Sequence, residues 1–370
     1  DWPRPRNIGP QGWHASYRFH QPALEDALRA GVARFPNVAV RDRTAVRAIG
    51  QDGEAVTLDT GAGPIRARQV VNATGVWTDD TQAMVGERGQ FKVRASKGVH
   101  LVIPRDRFQS KLGLLLRTEK SVLFVIPWGR HWLIGTTDTD WNLDKAHPAA
   151  TAADIDYILE HVNSVLAVPL TRDDVEGVFA GLRPLLAGES DQTSKLSREH
   201  LVAHAVPGLV VVAGGKWTTY RAMAEDVLQR CTDNLLLPPL GASKTATLPL
   251  VGAPSHIAAI APGNRISDAP GMHLYGTEQD LVNGQPGSGH TLVPGLTESM
   301  VRFAARHEYA RTAEDILARR SRLLFLDAQA AIDVADEVGT LLTHETGCDP
   351  QISTFKALAR KYSNTQAGNQ

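Results

Sequence analysis

The sequence contains few cysteines and no long apolar run. Only two of its 370 residues, Cys231 and Cys348, are cysteine, which excludes a disulfide framework and indicates a reducing compartment. No stretch approaches the roughly 18–20 consecutive apolar residues that a membrane-spanning helix needs. The first residues do not begin with Met and lack the apolar core of a secretory signal. These absences predict a cytoplasmic protein.

The sequence also lacks an excess of charge of either sign. Its net charge of −1 provides no general attraction for nucleic acid, which is therefore not an expected partner. The histidines are scattered without metal-ligand spacing, so no metal site is predicted. Walker and G-x-S-x-G motifs are missing as well. With 42% hydrophobic residues, the chain has the composition of a globular protein and the length for two or three domains.

Two segments predict strands that end at a turn of small residues. Residues 207–227, PGLVVVAGGKWTTYRAMAEDV, read as a strand, a Gly214–Gly215 turn and a helix. Residues 70–80, VVNATGVWTDD, repeat the pattern, with Asp79 and Asp80 at the start of the helix. A helix N-terminus behind a tight turn suits a phosphate or a flat cofactor. Both segments are predicted to lie in one sheet, although such junctions also serve as ordinary packing devices.

The rest of the chain divides by its periodicity. Residues 21–35 predict a helix, and residues 64–75 predict one continuous strand. Residues 91–141 predict an antiparallel set of strands, and 151–166 predict a helix capped by Thr151 with Asp154 three residues on. Residues 241–295 are rich in Gly, Pro and Ser and are predicted to form a linker. Helical periodicity returns from Thr297.

Several motifs resemble the FAD-dependent glycerol-3-phosphate dehydrogenases, which are flavoproteins of the glycine-oxidase and D-amino-acid-oxidase type. The resemblance runs from about 66 to 230 and resumes at 301–331, in the region of that family's C-terminal helical domain. The motifs occur in the order found in the family. They are VNATGVWTDD, KGVHLVIP, VIPWGRHWLIGTTDTDW, GLRPLL, TSKLSREH and GGKWTTYR.

The resemblance implies an α+β fold with FAD as cofactor. An α/β flavin-domain portion carries an inserted antiparallel-sheet substrate domain and is followed by a C-terminal helical domain. The expected ranges are 1–85 for a partial FAD-binding domain, 86–180 for the substrate domain, 181–238 for the return to the FAD-binding domain, 239–295 for the linker and 296–370 for the helical domain.

The resemblance further implies oxidation of sn-glycerol 3-phosphate to dihydroxyacetone phosphate, with electrons passed to a quinone-type membrane acceptor. Arg183, Arg198 and Lys216 are the implied phosphate-binding cations, because guanidinium and ammonium groups suit a doubly charged phosphate. His100 is the candidate base, since imidazole titrates near neutral pH. The alternatives are that the three cations are solvated surface groups and that His100 has only a structural role.

Other implied contacts lie in turns. The loop of Gly135, Thr136, Thr137 and Asp138 is expected to form the floor of the substrate pocket, with a simple hairpin turn as the alternative. Lys216 is also expected beside the flavin, where it would stabilise charge on the reduced ring. The full set of implied cofactor-binding residues is Ala73, Thr74, Gly75, Trp77, Gly214, Gly215, Lys216, Thr218 and Thr219.

The resemblance fails at the N-terminal side. The family's FAD-binding domain opens with strand–GxGxxG–helix, and the nearest string here, GAGPIR at 61–66, lacks the third glycine and a following helix. Residues 4–41 are instead more similar to aromatic-ring flavin hydroxylases. The sequence therefore looks truncated or chimeric, and a severe loss of FAD affinity is expected.

Two rival functions follow. One is a flavin-dependent aromatic hydroxylase, and the other is a non-catalytic remnant that binds a partner or an anion. The basic stretch ARRSRLL, residues 318–324, is predicted to form a solvated helix face. Docking of this face on acidic lipid headgroups, at the inner face of the cytoplasmic membrane, is the alternative.

Overall fold

The computed structural model describes most of the chain from residue 44 to residue 362. The predicted helix at 21–35, most of the stretch 4–41 and the candidate phosphate ligand Arg198 lie outside the described residues. The described ranges are 38–39, 41, 44–53, 55–86, 92–110, 112–119, 122–143, 145, 148–187, 199–233, 241–248, 252–253 and 271–362.

The first strands form a small antiparallel sheet. It consists of β1 (Val46–Gln51), β2 (Val56–Thr60) and β3 (Ile65–Ala67). The single strand predicted over 64–75 is wrong, because β3 ends at Ala67 and a new strand, β4 (Val70–Asn72), belongs to another sheet. The reason lies in distant partners: β3 pairs with β2, whereas the Val70 N–H donates to the Gly208 carbonyl.

The two strand–turn–helix segments share one sheet, as predicted. Its order is β11 (His200–Val206), β12 (Leu209–Gly214) and β4, and β12 runs parallel to β4. Each parallel strand leads through a 3₁₀ turn, Gly75–Trp77 or Trp217–Thr219, into a helix. These helices are α1 (Thr78–Ala83) and α3 (Tyr220–Thr232).

The predicted antiparallel set forms a six-stranded sheet. Its order is β10-β5-β8-β7-β6, and β9 also pairs with β5. Short 3₁₀ turns follow β5, at Arg105–Arg107, and precede β10, at Arg172–Asp174. The strands are β5 (Val93–Pro104), β6 (Leu114–Arg117), β7 (Val122–Trp128), β8 (His131–Gly135), β9 (Thr139–Asp140) and β10 (Gly177–Leu186).

The two faces of this sheet differ in what covers them. Helix α2 (Ala152–Asn163), capped by Thr151 and Asp154 as predicted, covers one face. There the alternate β5 residues Val99, Leu101 and Ile103 are buried with Ile155 and Ile158 of the helix. We call this the covered face. Because successive side chains of a strand point to opposite sides, Ser96, Gly98 and His100 of β5 lie on the opposite face. We call this the open face.

The sheet extends beyond the expected limit of the substrate domain. β10 pairs with β5 from Gly177 to Leu186, so this sheet passes the boundary drawn at residue 180. The next described strand, β11, starts at His200 and belongs to the parallel sheet. We therefore propose that the chain changes domain between 187 and 199.

Helices dominate the C-terminal domain. Its core buries apolar side chains from several of them, including Phe303, Leu317 and Phe355. The elements are the 3₁₀ helix Met272–Glu278, α4 (Gln279–Asn283), β13 (Thr291–Val293), β14 (Leu296–Thr297), α5 (Glu298–His307), the π-helix Asp315–Arg320, α6 (Leu323–Leu326), α7 (Ala328–Thr346) and α8 (Ile352–Tyr362).

The linker predicted to extend to residue 295 is wrong from Met272 onwards. From Met272 onwards the chain belongs to the helical domain, because Val282 is fully buried in its core and Met272, Tyr275 and Leu292 pack against it. The abundance of Gly and Pro suggested a linker. These residues instead permit short turns between small elements that bury isolated apolar side chains.

The solvated basic face predicted at 318–324 is also wrong. Arg320 is 8% exposed and hydrogen-bonds the Asp315 and Glu308 carbonyls, while Arg319 pairs with Glu314 and Asp315. Acidic residues that precede Arg319 and Arg320 in the sequence thus pair with both of these side chains. Among the described residues, no helix is long and apolar enough to cross a membrane.

Candidate functional site

Arg183 reaches across the open face of the sheet. Its guanidinium donates to Oγ1 of Thr136 at 2.9 Å and to the Thr137 carbonyl at 3.4 Å. Arg183 stands opposite Ser96 in the register, yet its side chain lies over Gly98. A Cβ at Gly98 would be 2.6 Å from Cζ of Arg183. The missing side chain of Gly98 therefore makes room for the guanidinium.

His100 lies on the same face, two residues along β5 from Gly98. Its imidazole stacks on Phe179 of β10, with ring centroids 5.1 Å apart and planes at 7°. Burial of the ring and, second, the positive charge of Arg183 lower the pKa of His100 to about 4. At neutral pH the imidazole is consequently uncharged and has a lone pair that can accept a proton.

Hydrogen bonds fasten the loop after β8 to β5. The buried Thr137 hydroxyl accepts the Val99 N–H at 3.0 Å, and the Ser96 hydroxyl donates to the Asp138 carboxylate at 2.6 Å. Thr136 is left facing the Arg183 guanidinium. The structure thus brings together four predicted site residues, His100, Thr136, Thr137 and Arg183, on and beside the open face.

A second group of predicted residues follows β4. Ala73, Thr74 and Trp77 are exposed. The carboxamide of buried Asn72 accepts from both the N–H and the hydroxyl of Thr74, at 3.2 and 2.7 Å, and donates to the Thr78 carbonyl at 3.2 Å. Asn72 therefore fixes the backbone path of this turn from its buried side, while the outer side of the turn stays exposed to solvent.

The turn after β12 requires glycines because of its backbone conformation and its packing against α3. Gly214 and Gly215 have φ angles of +75° and +79°, which residues with a side chain rarely adopt. A Cβ at Gly215 would also lie 2.5 Å from Sδ of Met223. The following Lys216, Thr218 and Thr219 are exposed. The glycines thus shape the turn, and the next residues present their polar side chains to solvent.

The two groups adjoin each other. The Gly75–Trp77 turn contacts β12, β10 and β5, and β10 contacts β12. The exposed turns also lie at the carboxyl ends of the parallel strands β4 and β12, which is the edge of an α/β sheet where ligands commonly bind. The site therefore combines a strand-end edge with the open face that carries His100 and Arg183.

Three residues of this arrangement were missed by the sequence reasoning, Asn72, Gly98 and Phe179, and the contact of Gly135 with His100 was missed as well. A glycine inside a strand pattern indicates a close approach, so KGVH and LIGTT contained a signal for Gly98 and Gly135. A Cβ at Gly135 would lie 2.5 Å from Cδ2 of His100. Phe179 had no such signal, because its role depends on register with His100.

No metal centre forms from the residues that the structure describes. Within those ranges, no group of three or more His, Cys, Asp or Glu side chains could hold a metal ion. The polar groups of the site are instead a guanidinium, an imidazole, an ammonium and several threonine hydroxyls. Such groups suit an anionic or neutral organic ligand.

Comparison with known proteins confirms the resemblance and the fold class. Residues 9–230 match the family described as FAD dependent oxidoreductase, and residues 243–352 match the C-terminal domain of alpha-glycerophosphate oxidase. The first match begins inside the stretch 4–41 that resembles hydroxylases. The second supports the assignment of residues from 272 to the helical domain.

Individual relatives agree with these matches. Glycerol-3-phosphate dehydrogenase 2 of Mycobacterium tuberculosis is 46% identical over 356 residues, which cover 89% of this chain and 61% of that protein. Glycerol-3-phosphate dehydrogenase of Mycobacterium leprae is 44% identical over 372 residues, with 92% and 63% covered. The chain thus spans less than two thirds of the length of these relatives.

A solved structure shares the fold. The crystal structure of the glycerol-3-phosphate dehydrogenase from Bacillus halodurans complexed with FAD superimposes with a TM-score of 0.73 at 25% identity, covering 93% of this chain and 72% of that one. Because the family match at 9–230 spans more than half of the chain, the protein belongs to the FAD-dependent oxidoreductase family.

Proposed function

We propose that this protein carries out the FAD-dependent oxidation of sn-glycerol 3-phosphate to dihydroxyacetone phosphate. The observation that carries the proposal is the neutral imidazole of His100 beside the Arg183 guanidinium on one face of the sheet. An acceptor for a hydroxyl proton and a cation for a phosphate are the two groups that this substrate requires. The mycobacterial relatives that carry the name glycerol-3-phosphate dehydrogenase support the same choice.

Arg183 is assigned to the phosphate. Its guanidinium is oriented by Thr136 and Thr137, so the loss of side-chain freedom on binding is reduced in advance. Phosphate oxygens accept two N–H groups of a guanidinium at once, which fixes the direction of the substrate as well as its charge. Lys216 on the exposed turn and Arg198, outside the described residues, are proposed as further cations.

His100 is assigned to the hydroxyl proton. Its pKa is lowered to about 4, first by burial of the ring and second by the positive charge of Arg183, so it is a weak base in the free protein. A bound phosphate dianion would offset the positive charge that lowers this pKa, so substrate binding would raise the proton affinity of the ring. The base would thereby become stronger when the substrate is present.

The exposed turns fit the cofactor of the family. FAD, when bound, supplies the two-electron acceptor that the oxidation needs. Ala73, Thr74 and Trp77 after β4 and Lys216 and Thr218 after β12 are exposed at the carboxyl edge of parallel strands, and hydroxyl and ammonium donors suit the polar edge of a flavin. Lys216 would stabilise negative charge there. A quinone-type final acceptor and peripheral membrane attachment belong to the same proposal.

Flavin reduction provides the direct test. The purified protein is mixed with FAD, desalted and examined for the visible flavin absorption, and glycerol 3-phosphate is then added without oxygen. Retained absorption that bleaches on this addition supports the proposal. Bleaching by NADPH only when a phenol is present would indicate the hydroxylase instead. A colourless protein that still binds glycerol 3-phosphate would indicate a non-catalytic remnant.

The phosphate assignment is tested by a pair of ligands. Arg183→Ala and Lys216→Ala should each weaken the binding of glycerol 3-phosphate much more than that of glycerol, because only the former carries the dianion. A charge-assisted hydrogen bond contributes about 1.5–3 kcal/mol, or roughly 10- to 150-fold in affinity. Equal losses for both ligands would contradict the phosphate role.

A further inference from the structure

The imidazole of His100 is held by its neighbours on both adjacent strands. Phe179 stands opposite His100 on β10, and its ring is nearly parallel to the imidazole, at 7°. Gly135 stands opposite His100 on β8, and its backbone leaves no space for a side chain beside the ring. The imidazole therefore sits between an aromatic face and a backbone segment, which restricts its rotation.

The C-terminal domain reaches this position through Phe325 of α6. The rings of Phe179 and Phe325 have centroids 5.6 Å apart at 58°, and those of Phe325 and Tyr362 have centroids 5.6 Å apart at 71°. The backbones also approach closely, since a Cβ at Gly177 would collide with the Phe325 carbonyl oxygen. A continuous aromatic row thus runs from His100 to the last described helix.

Two physical effects follow for His100. Aromatic neighbours at these distances and tilts prefer defined mutual orientations, so Phe325 constrains Phe179 and Phe179 constrains the imidazole plane. The same rings exclude water from one side of the imidazole, and this burial favours its neutral form. Arg183 on β10 is the charged side chain that acts on His100, while Gly135, Phe179 and Phe325 contribute no charge.

We propose that Phe179 and Phe325 are positioning residues for His100, through which the C-terminal domain fixes the imidazole in the orientation and the dry surroundings that proton acceptance needs. This inference rests on the proposed function in one respect, because it treats His100 as the base. It assigns to the helical domain a direct part in shaping the site on the six-stranded sheet.

The test follows His100 itself by NMR. The protein is labelled with ¹³C-histidine, and the His100 signal is assigned by its loss in His100→Gln. In Phe179→Leu the signal should lose the ring-current shift of the stacked phenyl group. In Phe325→Leu the His100 titration midpoint should rise toward the ordinary value of about 6.5, because water gains access to the ring.

Kinetics supply the second readout. Phe325→Leu should lower kcat about two- to tenfold and leave KM for glycerol 3-phosphate nearly unchanged, which corresponds to the loss of one aromatic contact. Phe325→Tyr keeps the ring and should restore both kcat and the His100 signal. The matched control is Phe303→Leu, which removes an aromatic ring that contacts Tyr275 and His307 inside the same helical domain.

The outcomes separate this inference from the proposed function. An unchanged His100 signal and midpoint in both Phe179→Leu and Phe325→Leu would overturn the positioning role. Equal changes in Phe303→Leu would also overturn it, because general loosening of the domain would then be the cause. If the wild-type protein does not oxidise glycerol 3-phosphate but its His100 signal responds as expected, the proposed function fails and the positioning role stands.

Discussion

The covered and open faces of the six-stranded sheet place opposite demands on the same strands. On the covered face, Leu101, Ile103 and Trp132 are completely buried against one another and α2. On the open face, the neighbouring positions hold a guanidinium over a glycine and a half-buried imidazole. Substitutions on the first face should therefore change stability, and substitutions on the second should change binding and catalysis.

The covered face also contains a buried ion pair among its apolar side chains. Nζ of Lys97 and Oδ2 of Asp154 are 2.6 Å apart, and their side chains are only 3% and 6% exposed. The Lys97 ammonium also donates to the Ala149 carbonyl at 3.2 Å. Buried charges of this kind are tolerated only when both partners are present. This pair is therefore the most sensitive position of the covered face.

We expect the largest effect from Asp154→Ala. This change leaves the Lys97 ammonium buried without its counter-charge and removes the Asp154 half of the capping box of α2, so the free energy of unfolding should fall by about 3–5 kcal/mol. Urea denaturation measures the loss. The control is Asp156→Ala on the same helix, which breaks an exposed pair with Arg172 and should lower it by less than about 1 kcal/mol.

A double variant completes this test. Lys97→Met with Asp154→Asn removes both charges and keeps a capping side chain, so it should recover most of the stability lost in Asp154→Ala. If Asp154→Ala loses no more than Asp156→Ala, the pair on the covered face is hydrated in solution. The contrast between the two faces would then be weaker than their geometry indicates.

The second prediction concerns the pH dependence contributed by His100. Because its folded-state pKa is lowered from 6.5 to about 4, the unfolded chain binds more protons than the folded protein between these values. The contribution of His100 to the free energy of unfolding is therefore fully present above pH 6.5 and decreases as the pH falls toward 4. The shift corresponds to at most about 3 kcal/mol.

His100→Gln should remove this contribution. Unfolding of the wild type and the variant is compared at pH 7.5 and near pH 4.5, and the stability of the wild type should fall more steeply with acidification. Parallel curves would show that His100 does not titrate differently in the folded and unfolded states. A steeper loss of stability in the wild type would mean that His100, although it lies on the open face, also affects the stability of the protein. His100 would then be an exception to the division of roles between the two faces.

Local features of the fold could be predicted from the sequence. The Thr151–Asp154 capping box and the strand–turn–helix at 207–227 depend on neighbours a few residues away, and both are confirmed. The split of residues 64–75 into two strands depends on Gly208, far along the chain. Arg319 and Arg320 were misread because periodicity does not show which acidic groups they meet.

The candidate site likewise contains residues that the sequence indicates and residues whose role depends on distant partners. The family resemblance of the motifs indicated His100, Thr136 and Arg183 as candidates, and their site roles remain proposals. The residues that set their geometry, Gly98 and Phe179, act through the register of β5 with β10, and a sequence does not state its register. The sequence therefore indicated the proposed reactive groups more readily than the residues that position them.

The smallest expected effect tests whether the open face can be altered without loss of stability. In Gly98→Ala the new methyl group would occupy the space of the Arg183 guanidinium, whose Cζ lies 2.6 Å from the Cβ position. That group is the end of a flexible side chain, so it can move aside, and the unfolding free energy should change by less than about 1 kcal/mol. The hydrogen bonds from Arg183 to Thr136 and Thr137 would be broken.

Displacement of Arg183 should raise KM for glycerol 3-phosphate by about 10- to 100-fold, as expected for the loss of a charge-assisted contact of roughly 1.5–3 kcal/mol. The matched control is Gly181→Ala, because Gly181 pairs with Gly98 in the register and a Cβ there meets nothing within 4 Å. It should leave both KM and stability unchanged. Equal increases in KM for the two variants would mean that any added methyl group on this face obstructs the substrate. An increase confined to Gly98→Ala would show that the missing side chain serves Arg183, and that the open face gives up packing to position a cation.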